Sequence, residues 1–160
     1  MTFNFDSGIG AVLDDRLSQH FAGGHCFIAL TPAVDGQAVF INFSSVRDHS
    51  ADTHREFVLQ AGEHPFISRP TCVPMNYARL YPVAKLTAWV NDNLPDVVTF
   101  ERMDHSLHIR MIEAVLESDY TREEIKKFIT MNFGDKAYLR ARNCVVSPST
   151  DATSSTGDTA

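Results

Sequence analysis

The sequence predicts an α+β fold in which a group of short strands precedes a group of helices. Apolar residues make up 44% and charged residues 21% of the 160 positions, which is ordinary for a single globular domain. Short apolar runs separated by Gly, Pro and Asp dominate the first hundred positions, whereas apolar residues recur at helical spacing after about residue 103. This order favours a small curled sheet or barrel over a parallel βαβ arrangement.

The N-terminal segment 7–19 is predicted to be a helix. Ser7 stands where an N-cap residue is expected. Four apolar residues follow it at helical spacing, namely Ile9, Val12, Leu13 and Leu17.

Two apolar runs joined by turn residues predict a β-hairpin. The first strand is HCFIALT (25–31) and the second is QAVFINFSS (37–45), with Pro32 and Gly36 in the connection. Further short strands are predicted within 56–60, 71–75, 78–83 and 96–100. Of these, 71–75 and 78–83 contain proline, which suits the edge of a sheet.

The C-terminal part is predicted to form helices and then to lose structure. An apolar stripe over 103–116 indicates one helix, and the capping-box pair Thr121 and Glu124 indicates the start of another. We therefore assign residues 1–130 to one α+β domain and 131–146 to a basic C-terminal segment. The Ser/Thr-rich tail 147–160 is predicted to be disordered.

Charge and hydropathy exclude some classes of function. A net charge of −6 argues against nonspecific nucleic-acid binding, although an enzyme with a locally basic groove stays compatible with it. No apolar run approaches the ~18 residues of a membrane helix, and the start lacks the features of a secretory signal. We therefore expect a cytoplasmic protein without membrane contact.

The three cysteines of the chain fit neither a disulfide framework nor a zinc knuckle. Cys26 and Cys72 lie in apolar, strand-like runs. Both are therefore expected to be buried thiols.

The stretch 41–67 concentrates hydroxyl and imidazole groups: Ser44, Ser45, His49, His54 and His64. His49 and His54, together with nearby aspartates, can supply metal ligands. Nothing in the spacing fixes their geometry, so a solvated loop is favoured. We predict neither a metal nor a cofactor.

The predicted hairpin brings Ser44 or Ser45 close to His25, because the start of one strand lies across from the end of the other. With Arg47 or Arg55 nearby, a histidine and a hydroxyl form an acid–base set for splitting a phosphodiester. The alternative is that the two serines only satisfy backbone groups at a strand end.

The order of these segments resembles the MazF/PemK family of toxins. The resemblance is carried by GGHCFIALTP, QAVFINFSS, EFVLQAGEHPFI, TCV and YARLYPVAKL, and it covers about residues 23–116. It implies an SH3-like small β-barrel of short bent strands, with the N-terminal helix as an addition. It also implies a homodimer, an antitoxin protein as partner, and metal-independent endoribonuclease activity on single-stranded RNA.

The resemblance also implies the site. His25 falls where the family has an arginine, which replaces a permanent charge by a group that titrates near neutrality. The catalytic hydroxyl falls on Ser44 or Ser45. The expected RNA-binding residues are Arg47, His49, His54, Arg55, His64 and Arg79. For His64, fixing the turn in which it lies is the alternative role.

A non-catalytic SH3-like barrel that binds a protein partner is the alternative function. The acidic net charge and the replacement of the family arginine by His25 favour this alternative. The hydroxyl motif and the order of the segments favour the enzyme.

Overall fold

The computed structural model describes residues 2–13, 25–45, 57–94 and 96–134, and within them the fold is α+β, as predicted. The strands are β1 (Gly10–Leu13), β2 (His25–Ala29), β3 (Gln37–Asn42), β4 (Ser44–Ser45), β5 (Val58–Leu59), β6 (Thr71–Cys72), β7 (Arg79–Pro82) and β8 (Thr99–Phe100). The helices are α1 (Val83–Asp92), α2 (His105–Glu117) and α3 (Glu123–Phe133), and a 3₁₀ turn covers Met75–Tyr77.

The described strands form two antiparallel sheets and not a closed barrel, so the SH3-like form of the small barrel stays a prediction. One sheet has the order β7-β3-β2-β1-β8, and the other has the order β4-β6-β5. The chain leaves the first sheet at Phe43 and continues as β4 in the second sheet, where Ser44 pairs with Cys72. The first sheet therefore keeps two edges, and its β7 edge ends in Pro82, as expected for a proline-containing strand.

The predicted N-terminal helix is wrong in its first half, because β1 lies there and pairs with both β2 and β8. A Cβ on Gly10 would lie 2.9 Å from the Phe27 carbonyl oxygen, so this close pairing requires glycine. Ser7 does not cap a helix. It is buried, and its hydroxyl donates to the Leu30 carbonyl oxygen at 3.2 Å. Residues 14–19 of the predicted helix lie outside the described part of the chain.

The first sheet is covered on both faces. One face packs against α1 and the N-terminal residues, through Phe5, Phe27, Phe40, Leu86 and Val90. The other face packs against α2, α3 and the second sheet, through a cluster that includes Ile28, Ile41, Leu59, Met111 and Ile125. The result is a layered structure in which the sheet lies in the middle.

Helix α3 begins differently from the capping-box prediction. Its N-cap is Arg122, which makes no side-chain capping bond, and the Thr121 hydroxyl has no hydrogen-bond partner among the described residues. Helix α2 carries a true cap, since the Asp104 carboxylate accepts from the backbone N–H groups of Ser106 and Leu107. Helix α3 extends to Phe133, beyond the predicted domain end at 130, and residues 135–160 lie outside the described part.

Cys26 and Cys72 are buried thiols that form no disulfide, as predicted. Cys144 lies outside the described residues. In the described ranges no helix combines the length and the apolar character that crossing a bilayer requires.

Candidate functional site

The face of the first sheet that packs on α1 ends in polar residues. Along β2 and β3, Phe27 and Phe40 point into the apolar cluster on this face. Side chains alternate along a strand, so His25 and Asn42, each two positions further along, lie on the same face. Polar groups therefore gather at one end of an otherwise apolar surface.

The end of the β2–β3 ladder brings His25 close to Ser44. Phe27 pairs with Asn42, and the Phe43 N–H donates to the Cys26 carbonyl oxygen at 2.9 Å, so the ladder continues toward His25. His25 and Ser44 each follow the last pair of this ladder, and the His25 ring lies 3.5 Å from the carbonyl oxygen of Phe43, the residue before Ser44. The structure thus brings together two of the residues that the sequence analysis selected.

The surroundings of His25 favour one tautomer. His25 is half-buried, and its Nδ1 lies 3.5 Å from the Phe43 carbonyl oxygen, at the long limit of a hydrogen bond. A carbonyl oxygen can only accept, so Nδ1 carries the proton in this contact. In this tautomer the second nitrogen, Nε2, carries the lone pair of the ring.

Ser44 is held by the second sheet. It is half-buried, and its carbonyl oxygen accepts from the Cys72 thiol at 3.1 Å. For Ser45 only the backbone pairing with Thr71 is described. The β6 strand therefore fixes the backbone at Ser44, directly after the Phe43 carbonyl group that His25 contacts.

Arg79 lies on the same sheet face but further away. It pairs with Phe40 on edge strand β7, two strands from β2. From strand spacing and rise, its Cα is roughly 16 Å from that of His25. Burial, and secondarily the charge of Arg122, lower the pKa of Arg79 from its ordinary value.

The Arg79 guanidinium is occupied by the backbone rather than by an acid. It donates to the Ala78 carbonyl oxygen at 2.8 Å and also to the Asn76 carbonyl oxygen. No carboxylate of the described residues forms an ion pair with it. Its positive charge is therefore not neutralised by a direct partner there.

His64 is buried among aromatic rings. Its ring lies 5.6 Å from that of Phe43 and 5.4 Å from that of Phe100, both edge-on, and its Nδ1 accepts from the Phe66 N–H at 3.2 Å. Burial lowers the pKa of His64 from its ordinary value, so the ring is neutral near pH 7. Of the two roles that the sequence left open, this geometry favours fixing the turn.

Four of the predicted RNA-binding residues, Arg47, His49, His54 and Arg55, lie outside the described residues. The two-histidine metal site considered from the sequence falls there as well. Within the described ranges, no three or more His, Cys, Asp or Glu side chains come together as a set of metal ligands.

Cys26 is not suited to nucleophilic chemistry, although it follows His25 directly. Burial raises the pKa of its thiol to about 12, so the reactive thiolate is not formed near neutral pH. Adjacent residues on a strand also point to opposite faces, which separates this thiol from the His25 ring.

Asn42 is the residue that sequence reasoning missed. The residue is only 8% exposed, and its side chain lies on the same face as His25. The signal was present in QAVFINFSS, because counting in steps of two from the apolar Ala38 and Phe40 arrives at a polar residue. A polar side chain on the buried face of a strand needs a partner or a function.

Comparison of the chain with models of protein families, with curated proteins and with solved structures finds no match.

Proposed function

We propose that this chain is a toxin that cleaves single-stranded RNA as a metal-independent endoribonuclease, acts as a homodimer and is neutralised by an antitoxin protein. The contact of the His25 ring with the Phe43 carbonyl oxygen, which brings His25 close to Ser44 at the polar end of a sheet face, carries the proposal. An imidazole beside a hydroxyl, with a guanidinium on the same face, matches the needs of phosphodiester cleavage.

The reaction that these groups serve is attack of a ribose 2′-hydroxyl on the adjacent phosphorus. His25 accepts the 2′-hydroxyl proton through Nε2 while the O2′–P bond forms. It returns that proton to the 5′-oxygen as the P–O5′ bond breaks. The products are a 2′,3′-cyclic phosphate and a 5′-hydroxyl end, so the protons balance and no water is consumed.

Ser44 and Arg79 act on the phosphates. The Ser44 hydroxyl donates a hydrogen bond to an oxygen of the scissile phosphate, where negative charge develops. Arg79, roughly 16 Å away by strand spacing, contacts a neighbouring phosphate of the same strand. Arg79 thus provides a local positive charge for a polyanionic substrate on a chain whose net charge is negative.

Replacement of His25 by Gln tests the proposal, with His105→Gln as the matched control. The His105 Nε2 has no partner among the described residues, so its replacement should leave the fold intact. We expect wild type to arrest bacterial growth and to create recurrent 5′-hydroxyl ends in cellular RNA. In vitro, with a chelator present, His25→Gln should cleave a synthetic RNA about 10²–10⁴-fold more slowly, whereas His105→Gln should match wild type.

Two outcomes would contradict the proposal. Intact RNA and normal growth with folded wild type would reject the ribonuclease. Cleavage by folded His25→Gln at the wild-type rate would keep the ribonuclease but remove His25 from its chemistry.

Binding of a protein partner is the second candidate function, favoured by large apolar side chains that the structure leaves exposed. They are Phe66, Tyr77, Val98, Tyr120 and Met131, and Met131 is 83% exposed. A chain that leaves RNA intact, forms a complex of fixed stoichiometry, and loses it on Met131→Asp would support this candidate over the enzyme.

A further inference from the structure

We propose that the Asn42 carboxamide donates a hydrogen bond to the scissile phosphate and takes over part of the role that an arginine would have at the position of His25. This inference rests on the proposed function. It adds a residue that neither the motif nor the resemblance selected.

The burial of Asn42 is the first observation. The residue as a whole is only 8% exposed, on a face where its nearest neighbours along the strands are apolar. No described residue forms a hydrogen bond with its carboxamide. The amide atoms of Asn42 are also not among the fully buried side-chain atoms that lack a partner, so they reach solvent, and their donors are open to a ligand.

The position of Asn42 is the second observation. It pairs directly with Phe27, which places it diagonally across from His25, and it precedes Ser44 by two residues. On the other side, Phe40 pairs with Arg79, so Asn42 is diagonal to Arg79 as well. Diagonal neighbours in a sheet lie roughly 7–8 Å apart, a separation that a bound phosphate can bridge.

The chemistry of the carboxamide decides between its two possible uses. Its NH₂ group provides two donors without a formal charge, and donors are what a phosphate gaining negative charge in the transition state requires. Its oxygen only accepts, and a neighbouring acceptor would repel the phosphate. The NH₂ group therefore faces the non-bridging oxygen, while His25 carries the proton.

The test compares Asn42→Asp and Asn42→Ala with the control Asn132→Asp. Asn132 is exposed on α3, where its amide donates to the Phe128 carbonyl oxygen, so the control makes the same chemical change away from the site. Single-turnover cleavage of a short RNA gives the rate, and titration of its 2′-O-methyl analogue gives binding without cleavage. Circular dichroism checks that each variant is folded. If Asn42→Asp does not fold, the result for Asn42→Ala alone tests the inference.

We expect both Asn42 variants to lose about 10²–10³-fold in cleavage rate, the usual effect of removing one transition-state donor. Asn42→Ala should bind the analogue within a few-fold of wild type, and Asn42→Asp should bind it more weakly because its charge repels phosphate. Asn132→Asp should match wild type in both assays.

Wild-type rates for folded Asn42 variants of an active enzyme would overturn this inference and leave the ribonuclease standing. A wild type that binds the analogue but cleaves nothing would reject the ribonuclease. In that case binding of the analogue alone tests Asn42. Asn42→Asp should bind it at least tenfold more weakly than wild type if Asn42 contacts phosphate, and equal binding would show that it does not. Absence of both cleavage and binding would overturn both proposals.

Discussion

Substitution of Gly10 by Ala distinguishes the strand of the structure from the helix that the sequence pattern suggests. In a helix interior, replacing Gly by Ala stabilises the protein by about 1 kcal/mol. In β1, the new Cβ would lie 2.9 Å from the Phe27 carbonyl oxygen and 3.0 Å from Cγ1 of Ile28. These contacts are backbone and a branched core side chain, so neither can move away freely.

The structure therefore predicts a loss of stability, of the magnitude seen for overpacked cores. We expect Gly10→Ala to lower the free energy of unfolding by roughly 1–3 kcal/mol. The helix and the strand thus predict changes of opposite sign in the free energy of unfolding. The sign alone distinguishes them, so the exact magnitude is not needed.

Urea unfolding followed by circular dichroism at pH 7.5 measures this difference. Ala88→Gly calibrates the assay, because Ala88 is exposed in the middle of α1 and its loss should cost about 1 kcal/mol through helix propensity. A higher midpoint for Gly10→Ala than for wild type would refute the strand pairing of β1.

Other predictions concern pH, helix capping and thiol reactivity. Burial lowers the pKa values of His64 and His108 from 6.5, so their contribution to stability is present above about pH 6.5 and is lost below it. The urea midpoint of wild type should therefore fall between pH 7 and pH 5, and the midpoint of His64→Gln should fall less. An equal fall of the midpoint in both proteins would argue against this role of His64. Asp104→Ala should cost about 1 kcal/mol in unfolding free energy through loss of the α2 cap, and an unchanged midpoint would contradict the cap. Thr121→Val should be neutral or slightly stabilising in the same assay, because the hydroxyl has no partner among the described residues; a loss near 1 kcal/mol would restore the capping box. Cys26 should resist thiol reagents in the native protein and react after unfolding, as mass spectrometry of the labelled peptide would show, because burial raises the pKa of its thiol to about 12; fast native labelling would be inconsistent with its burial.

Local patterns predicted the elements whose stability is local. The hairpin of β2 and β3, the proline-containing edge strand β7 and the apolar stripe of α2 follow from turn residues and periodicity. The run IGAVL is too short to separate helix from strand by pattern. What decides it is a contact between Gly10 and Phe27, which the sequence alone does not show.

The predicted site also contains parts that follow from local sequence and parts that depend on contacts between distant segments. The approach of His25 and Ser44 follows from hairpin geometry, and Asn42 follows from counting along the strand. The split into two sheets depends on pairing between Ser44 and Cys72, which are 28 positions apart. The role of His64 depends on rings from Phe43 and Phe100, which come from distant strands. Such nonlocal choices are set by packing and not by propensity.

The covering of the first sheet on both faces limits the directions from which a large ligand can approach. Helix α1 occupies one face, and α2, α3 and the second sheet occupy the other. A polymer cannot lie flat on such a sheet, so it has to cross the strand ends at right angles to the strands. Such a path passes His25 before it reaches Arg79 on β7. A polymer that lies along the strand ends would therefore contact both residues, whereas a small ligand would contact only one of them.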